Sequence, residues 1–184
     1  GNPRVFVKNG FRESPDTAVH ILLDSSGSMN DSGLMLANAV CYAVGKALQG
    51  ISGVNLGITA FPGANRAKRG TTVAPVLRHG EKLTTRFPEI AYGMTPMAES
   101  LWWVMQQMCL LRENRKIILI ITDGEPDSIP AAQEAFKQAQ KKGFECYGSA
   151  SCVRALQPCC LMPAASLRRF HSLLRHCSNC SKGP

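Results

Sequence analysis

Oxygen-bearing side chains follow the first apolar segment of the chain. Asp24, Ser26 and Ser28 alternate in the run DSSGSM, directly after the segment AVHILL at residues 18–23. Carboxylate and hydroxyl oxygens are hard ligands, and Mg²⁺ prefers near-octahedral oxygen coordination in which it keeps several waters. The alternation therefore predicts a divalent-cation site where a buried strand ends.

Two later segments carry further oxygen ligands. Thr95 lies in the segment GMTP at residues 93–96, where a helical pattern begins, and it offers a third hydroxyl. Asp123 follows the apolar segment IILIIT at residues 117–122. In open parallel sheets, ligands bind beyond the carboxyl ends of the strands, at the point where the strand order reverses. The three segments can therefore meet at one crevice although they are far apart in sequence.

Taken together, these segments resemble the metal-ion-dependent adhesion site (MIDAS) of the von Willebrand factor A (VWA) family. That motif is written D-x-S-x-S, then a Thr, then an Asp, and the resemblance covers residues 17–148. It implies a bound divalent metal, with Mg²⁺ as the expected ion and Mn²⁺ or Ca²⁺ as alternatives. The metal ligands that it implies are Asp24, Ser26, Ser28, Thr95 and Asp123.

Alternating strand and helix patterns position these segments. Strands are predicted at residues 16–23, 54–61, 71–77, 116–122 and 144–148, and helices at residues 31–50, 97–111 and 131–142. Such alternation implies βαβ units and a parallel sheet covered by helices. We expect an α/β fold with a doubly wound, mainly parallel sheet, which is Rossmann-like as in VWA domains. We expect the last strand and helix of that fold to be missing or garbled in the sequence as written.

The function that the resemblance implies is metal-bridged protein recognition, with no catalytic residues. An incompletely neutralised cation keeps an open position that a Glu or Asp of a partner protein can occupy. Within the family, the sequences of the first strand and of residues 93–99 are most similar to those of intracellular bacterial or phage members. These include the C-terminal domain of the cobaltochelatase subunit CobT and the nitric oxide reductase activation proteins. The resemblance implies an adaptor module for a ring-forming ATPase of the MoxR or CobS kind, and we expect a cytoplasmic setting.

Other interpretations of the motif stay open at this point. A Mg²⁺-dependent phosphatase of the haloacid-dehalogenase type would also place a carboxylate, here Asp24, at a strand end as the nucleophile. That chemistry needs a second Asp two residues later as general acid/base, where this chain has Ser26. Alternatively, Asp24 and Ser26 only cap the following helix. Glu125 and Asp127 either tune the site or, with Ser128, cap the next helix.

Charge and cysteine content divide the chain at residue 148. The 184 residues carry a net charge of +8, yet residues 149–184 contain five Lys or Arg, five of the eight Cys and no acidic residue. We therefore expect an N-terminal extension at 1–15, a VWA domain at 16–148 and an anomalous tail at 149–184. Because the basic excess lies in the tail, we do not expect a nucleic-acid partner. No apolar run approaches the ~20 residues of a membrane span, so we do not expect a membrane partner either.

The tail has the composition of an apolar segment read in the wrong frame. A one-base slip turns codons with a central T, which encode Phe, Leu, Ile, Met and Val, into codons for Ser, Cys, Phe and Leu. We hypothesise that residues from 149 onward are out of frame. The alternative is a genuine tail, in which Cys177 and Cys180 form half of a zinc site. Three other cysteines lie in apolar patterns and are predicted to be reduced core residues, namely Cys41, Cys109 and Cys146.

Overall fold

The computed structural model describes residues 15–63 and 73–148. Its strands are β1 (Thr17–Asp24), β2 (Val54–Phe61), β3 (Ala74–Leu77), β4 (Arg115–Ile121) and β5 (Phe144–Gly148), and its helices are α1 (Asn30–Gln49), α2 (Met97–Cys109) and α3 (Ile129–Lys141). All eight predicted elements are present, and most of their ends agree with the sequence patterns to within two residues. In this part of the chain, no helix combines the length and the hydrophobicity needed to cross a membrane.

The sheet has the strand order β3-β2-β1-β4-β5. Strands β2, β1, β4 and β5 run parallel, and β3 pairs with β2 in the antiparallel direction. Strand β1 lies at the centre and is buried along its whole length, as expected of a parallel strand covered on both faces. Because the chain proceeds from β1 to β2 on one side and returns to β4 on the other, the strand order reverses between β1 and β4. The predicted doubly wound, mainly parallel architecture is confirmed.

Side chains of β1 alternate between two apolar layers. Val19, Ile21 and Leu23 pack in the layer that contains α1. Ala18 and Leu22 pack in the layer formed by α2 and α3. The two-residue period of the strand thus divides the core between the two faces of the sheet. This arrangement fixes β1 rigidly and holds its last residue at the carboxyl edge of the sheet.

The cysteines within the described ranges differ in burial. Cys41 and Cys146 are buried free thiols, and burial raises the pKa of the Cys41 thiol to about 12. Cys109 is exposed, so its predicted place in the core is wrong. It is the last residue of α2, and the buried face of that helix is formed by other residues, among them Met105 and Met108. The zinc and reading-frame hypotheses concern residues 149–184, which lie outside the described residues.

Candidate metal centre

Asp24 is held at the carboxyl end of β1 by hydrogen bonds to both of its carboxylate oxygens. Its side chain is fully buried. The backbone N–H of Ser26 donates to Asp24 Oδ1 at 2.8 Å, and the Thr122 hydroxyl donates to Asp24 Oδ2. Thr122 directly follows β4, the parallel neighbour of β1. The orientation of the carboxylate is therefore fixed from two sides.

A row of oxygen atoms leads from the interior towards solvent. Ser26 Oγ lies 3.0 Å from Ser28 Oγ, and the Ser28 hydroxyl donates to Asp123 Oδ1 at 3.1 Å. Ser26 is buried, whereas Ser28 and Asp123 are exposed. The structure thus brings together three of the sequence-predicted ligands in direct hydrogen-bond contact. Their oxygens lie at an edge of the sheet that an ion from solvent can reach.

The segment before α2 is fastened to the turn that follows β1. The Gly27 N–H donates to the Gly93 carbonyl at 3.1 Å, and the Tyr92 N–H donates to the Ser25 carbonyl at 3.0 Å. Gly93 has φ = +77°, a left-handed conformation that glycine adopts without steric cost. These two backbone contacts carry Thr95 towards the other predicted ligands.

Thr95 is tied in turn to the segment that follows β4. Its N–H donates to Asp127 Oδ1 at 2.7 Å, and the Asp127 N–H donates back to the Thr95 carbonyl at 3.1 Å. Ser128, rather than Asp127, caps α3, since its hydroxyl accepts from the Ala131 N–H. The three sequence segments therefore form one hydrogen-bonded unit at the carboxyl edge of the sheet.

The capping interpretation of the motif does not agree with these contacts. Ser26 stands before the 3₁₀ turn Gly27–Met29, but its side chain makes no capping hydrogen bond there. At the start of α1, Asn30 Oδ1 accepts from the Gly33 N–H at 2.9 Å. Pro96, and not Thr95, occupies the N-cap position of α2. The hydroxyls of Ser26 and Thr95 are thus not used as helix caps.

Burial raises the pKa of the Asp24 carboxyl, and the nearby Asp123 raises it further. Hydrogen bonds from Thr122 and Ser26 act in the opposite direction. In the described part of the chain the ion pair is Arg115 with Glu145, so Asp24 has no basic partner there. Because an ionised buried carboxylate without a counter-charge is costly, a cation at this position would stabilise the fold.

The available donor atoms fit a hard divalent cation. The five predicted ligands offer two carboxylates and three hydroxyls, which are the ligand types that Mg²⁺ and Mn²⁺ accept. Across residues 15–63 and 73–148 no group of three or more His, Cys, Asp or Glu side chains could hold a metal. A metal centre here would therefore depend on its Ser and Thr hydroxyls as well as on Asp24 and Asp123.

Two residues of the centre, Thr122 and Asp127, are not identified by the sequence patterns. Those patterns place Thr122 in a strand and indicate only a capping or tuning role for Asp127. The register of β1 and β4 pairs Leu23 with Ile121, which places Asp24 beside Thr122. That register is the signal that could have identified Thr122. The contact between Asp127 and Thr95 joins residues 32 positions apart and has no comparable signal.

Comparison with known proteins identifies the fold. No protein-family model and no curated protein matches the chain. It resembles the manganese-loaded TRAP protein of Plasmodium vivax, at 15% identity over 77% of this chain and 60% of that chain, with a TM-score of 0.52. It also resembles the proximal thread matrix protein 1 of the mussel byssus with a zinc-occupied MIDAS motif, at 12% identity over 78% of this chain and 38% of that chain, with a TM-score of 0.58.

A third similar structure is the SpRpn10 VWA domain, at 10% identity over 72% of this chain and 73% of that chain, with a TM-score of 0.56. The chain thus spans less than two thirds of the TRAP and byssus proteins. At these identities the likeness concerns the fold alone. The five-stranded sheet flanked by helices is the fold of VWA domains, as the sequence predicted.

Proposed function

We propose that this chain is a protein-binding module that depends on a divalent cation, with Mg²⁺ as the natural ion. Asp24, Ser26, Ser28, Thr95 and Asp123 hold the cation at the carboxyl edge of the sheet. When bound, the cation supplies a Lewis-acidic position that an Asp or Glu carboxylate of a partner protein fills. The observation that carries this proposal is the row of oxygens from Ser26 through Ser28 to Asp123, beside the buried carboxylate of Asp24.

The composition of the site favours recognition over cation storage. Three of the five proposed ligands are neutral hydroxyls, so the protein presents fewer negative charges than a carboxylate cage does. Both oxygens of Asp24 already accept hydrogen bonds, from Ser26 and Thr122, which favours contact with the cation through a water. A site of this kind keeps affinity for a further carboxylate, and that carboxylate is the one the partner provides.

Exposed apolar side chains flank the site and would contact the same partner. Met94 is 70% exposed beside Thr95, and Ile90 and Tyr92 in the same segment are 53% and 37% exposed. Exposed apolar groups close to a polar binding site are typical of interaction surfaces. We infer that the preferred partner sequence has an apolar residue next to its acidic residue.

Met94→Ala is expected to weaken partner binding about tenfold without changing Mg²⁺ affinity, because it removes apolar contact area and no ligand. Isothermal titration with the metal, and then with an acidic peptide selected from a library for binding to this protein, separates the two effects. Leu110→Ala is the matched control, since Leu110 is 84% exposed beyond the other end of α2. Equal affinities of the two variants for the peptide would exclude Met94 from the contact surface.

The proposed function can be tested before any partner is identified. A random peptide library is panned on the immobilised protein in Mg²⁺ and eluted with EDTA. The expected peptides contain Asp or Glu, lose binding in EDTA, and lose it again when the acidic residue is changed to Asn or Gln. Peptides that bind equally well in EDTA, or that lack acidic residues, would contradict the proposal.

Gly124 provides a test of Ser28 as a ligand. A Cβ at position 124 would lie 3.1 Å from Ser28 Oγ, so Gly124→Ala should displace that hydroxyl. We expect Mg²⁺ affinity to fall about tenfold, as for groups that orient metal ligands. Gly50→Ala is the control, because a Cβ there would meet its nearest atom, a carbonyl oxygen, at 3.5 Å, an ordinary contact distance. Unchanged affinity in Gly124→Ala would argue against Ser28 in the coordination shell.

The phosphatase alternative is less compatible with the geometry. A nucleophilic Asp must reach its substrate, whereas Asp24 is fully buried and hydrogen-bonded through both oxygens. Ser26 stands where a general acid/base would be required, and a hydroxyl does not shuttle protons near neutral pH. We expect no Mg²⁺-dependent hydrolysis of p-nitrophenyl phosphate above a buffer blank. Hydrolysis that disappears in Asp24→Asn would restore the alternative.

We further propose, from the resemblance to CobT-like domains, that the partner is a ring-forming ATPase of the MoxR or CobS kind in the cytoplasm. The sequences of the first strand and of residues 93–99 support this identification. Mixing the protein with such an ATPase from the same genome tests it. Co-elution in Mg²⁺ that is lost in EDTA is expected, and co-elution in neither condition would contradict it.

A further inference from the structure

Two imidazoles, one buried and one half-buried, form a pair on the face of the sheet that α2 and α3 cover. His20 belongs to β1, is 2% exposed and alternates with Ala18 and Leu22 on that face. Its Nδ1 lies 2.9 Å from His79 Nε2, and its Nε2 lies 2.9 Å from the Thr59 hydroxyl. Both ring nitrogens of His20 are thus used in hydrogen bonds.

Gly57 provides the space for this pair. It stands opposite His20 in the register of β1 and β2. A Cβ at position 57 would lie 2.6 Å from His79 Nε2 and 2.7 Å from His20 Nδ1. Any larger residue at this position would displace one of the two rings, so the strand is locally shaped to accommodate their contact.

His79 joins the segment 78–83, which follows β3, to the centre of the sheet. The Leu83 side chain packs against the apolar layer that contains α1, and two backbone N–H groups of the segment donate to side chains of β2 and α1. The Gly80 N–H donates to Asn55 Oδ1 at 2.9 Å, and the Leu83 N–H donates to Gln49 Oε1 at 3.2 Å. The hydrogen bond between His79 and His20 joins this segment to β1.

Few charged groups face the pair. Asn55 Nδ2 donates to Glu113 Oε1 at 2.8 Å, and Lys116 Nζ donates to the Glu113 carbonyl at 2.7 Å. Glu113 Oε2 and His79 Nδ1 are both buried without a hydrogen-bond partner among the described residues. Arg78 and Glu81 are exposed on the segment itself. Helix α2 contributes apolar side chains to this face, including Leu101, Val104 and Met105.

The pair can accept one proton more easily than two. Burial lowers the pKa of His79, while the Asn55 backbone and the Glu113 carboxylate favour its charged form. Burial lowers the pKa of His20 well below its usual value, and the charge of His79 lowers it further. A singly protonated pair retains one N–H···N bond, with His79 as donor. A second proton leaves two cations facing each other without an acceptor between them.

We propose that His20 and His79 form an acid-sensitive latch, which fastens segment 78–83 to the sheet at neutral pH and releases it when both rings are protonated. The latch holds the connection between β3 and α2. Thr95 lies at the end of this connection, just before α2. Neither imidazole is among the proposed cation ligands, so loss of the latch and loss of the cation site can be measured separately.

The sign of the pH dependence follows from the lowered pKa values. The unfolded chain binds protons on both imidazoles near pH 6.5, and the folded chain binds them only at lower pH. The contribution of the pair to stability is therefore complete above about pH 6.5 and is lost as the pH falls below it. For each proton that the unfolded chain binds and the folded chain does not, the unfolding equilibrium constant rises about tenfold for every pH unit by which the pH falls.

The test compares the wild-type protein with His79→Gln in urea unfolding between pH 7.5 and 5. Glutamine places an amide nitrogen near the position of Nε2 but does not titrate. In the wild type, the two imidazoles raise the unfolding equilibrium constant by up to about 100-fold for each unit of falling pH. In the variant, His20 alone raises it by up to about tenfold. Groups common to both proteins, such as the carboxylates and the tail imidazoles, cancel in the difference. Equal slopes would overturn the proposal.

Hydrogen exchange shows whether segment 78–83 is the part of the chain that is released. Because the wild-type protein is measured as well, the test remains valid if His79→Gln does not fold. After correction for intrinsic rates, protection at Gly80 and Leu83 should fall between pH 7 and 5 by more in the wild type than in His79→Gln. In the folded wild type, the NMR signals of the His20 ring should report a neutral imidazole for as long as Gly80 and Leu83 stay protected. Titration of His20 near pH 6.5 without loss of protection at Gly80 and Leu83 would contradict the latch.

Discussion

Asp24→Asn should lower Mg²⁺ affinity about 100-fold while the fold persists, because it removes one of the two negative charges proposed to hold the cation, in this case through a water. The substitution preserves size and hydrogen bonding. The carboxamide oxygen can still accept from the Ser26 N–H, and the amide nitrogen can donate to the Thr122 hydroxyl. Isothermal titration with Mg²⁺, alongside circular dichroism, measures affinity and fold in the same samples.

The same variant should be more stable than the wild type when no metal is present. Burial raises the pKa of Asp24, which means that its ionised form opposes folding at neutral pH. Asp16→Asn is the matched control, because Asp16 contacts Asn114 just before the amino end of β4. We expect Asp16→Asn to leave Mg²⁺ affinity unchanged. Equal Mg²⁺ affinities of wild type and Asp24→Asn would refute the assignment of Asp24 to the site.

Phe136→Ala should cause the largest loss of stability, about 3–5 kcal/mol, because it leaves a cavity in a closely packed core. Phe136 is fully buried in α3 and packs in the same layer as Leu22 and Met105. The proposed ligands lie at the edge of the sheet, so Mg²⁺ affinity of the folded variant should stay near the wild-type value. Urea unfolding measures the first effect and metal titration the second.

Trp102→Ala is the control for the effect of removing an aromatic ring. Trp102 lies in α2 and is 38% exposed, so its ring already contacts solvent. We expect a clearly smaller loss of unfolding free energy than for Phe136→Ala. Similar losses in the two variants would mean that the layer formed by α2 and α3 is not the tightly packed core described above.

The elements of the fold could be predicted because their apolar periods are strong. Strand β1 is apolar at nearly every position, and its burial on both faces accounts for that pattern. The pattern at residues 71–77 is weaker, since β3 is short, contains Pro75 and lies on the antiparallel edge of the sheet. Cys109 lies four residues after the buried Met105, a spacing typical of one helix face, but it is the last residue of α2 and is exposed there.

The order of the motif and its strand context were enough to bring the candidate site together from the sequence. They could not reveal the hydrogen bonds that support it. Thr122 contacts Asp24 through the register of two parallel strands, and Asp127 contacts Thr95 across two loops. The same limit applies to His79, which lies in a segment with no periodic pattern. Its contact with His20 depends on the path of the chain after β3.

Location of the metal is the most direct test of the account. Crystals of the protein soaked in Mn²⁺, with anomalous diffraction recorded above and below the manganese edge, would locate any bound ion. We expect one strong peak at the carboxyl edge of the sheet, within coordination distance of the Ser26 and Ser28 hydroxyls and bordered by Asp24, Thr95 and Asp123. An empty edge at millimolar Mn²⁺, or a peak held by other residues, would contradict it.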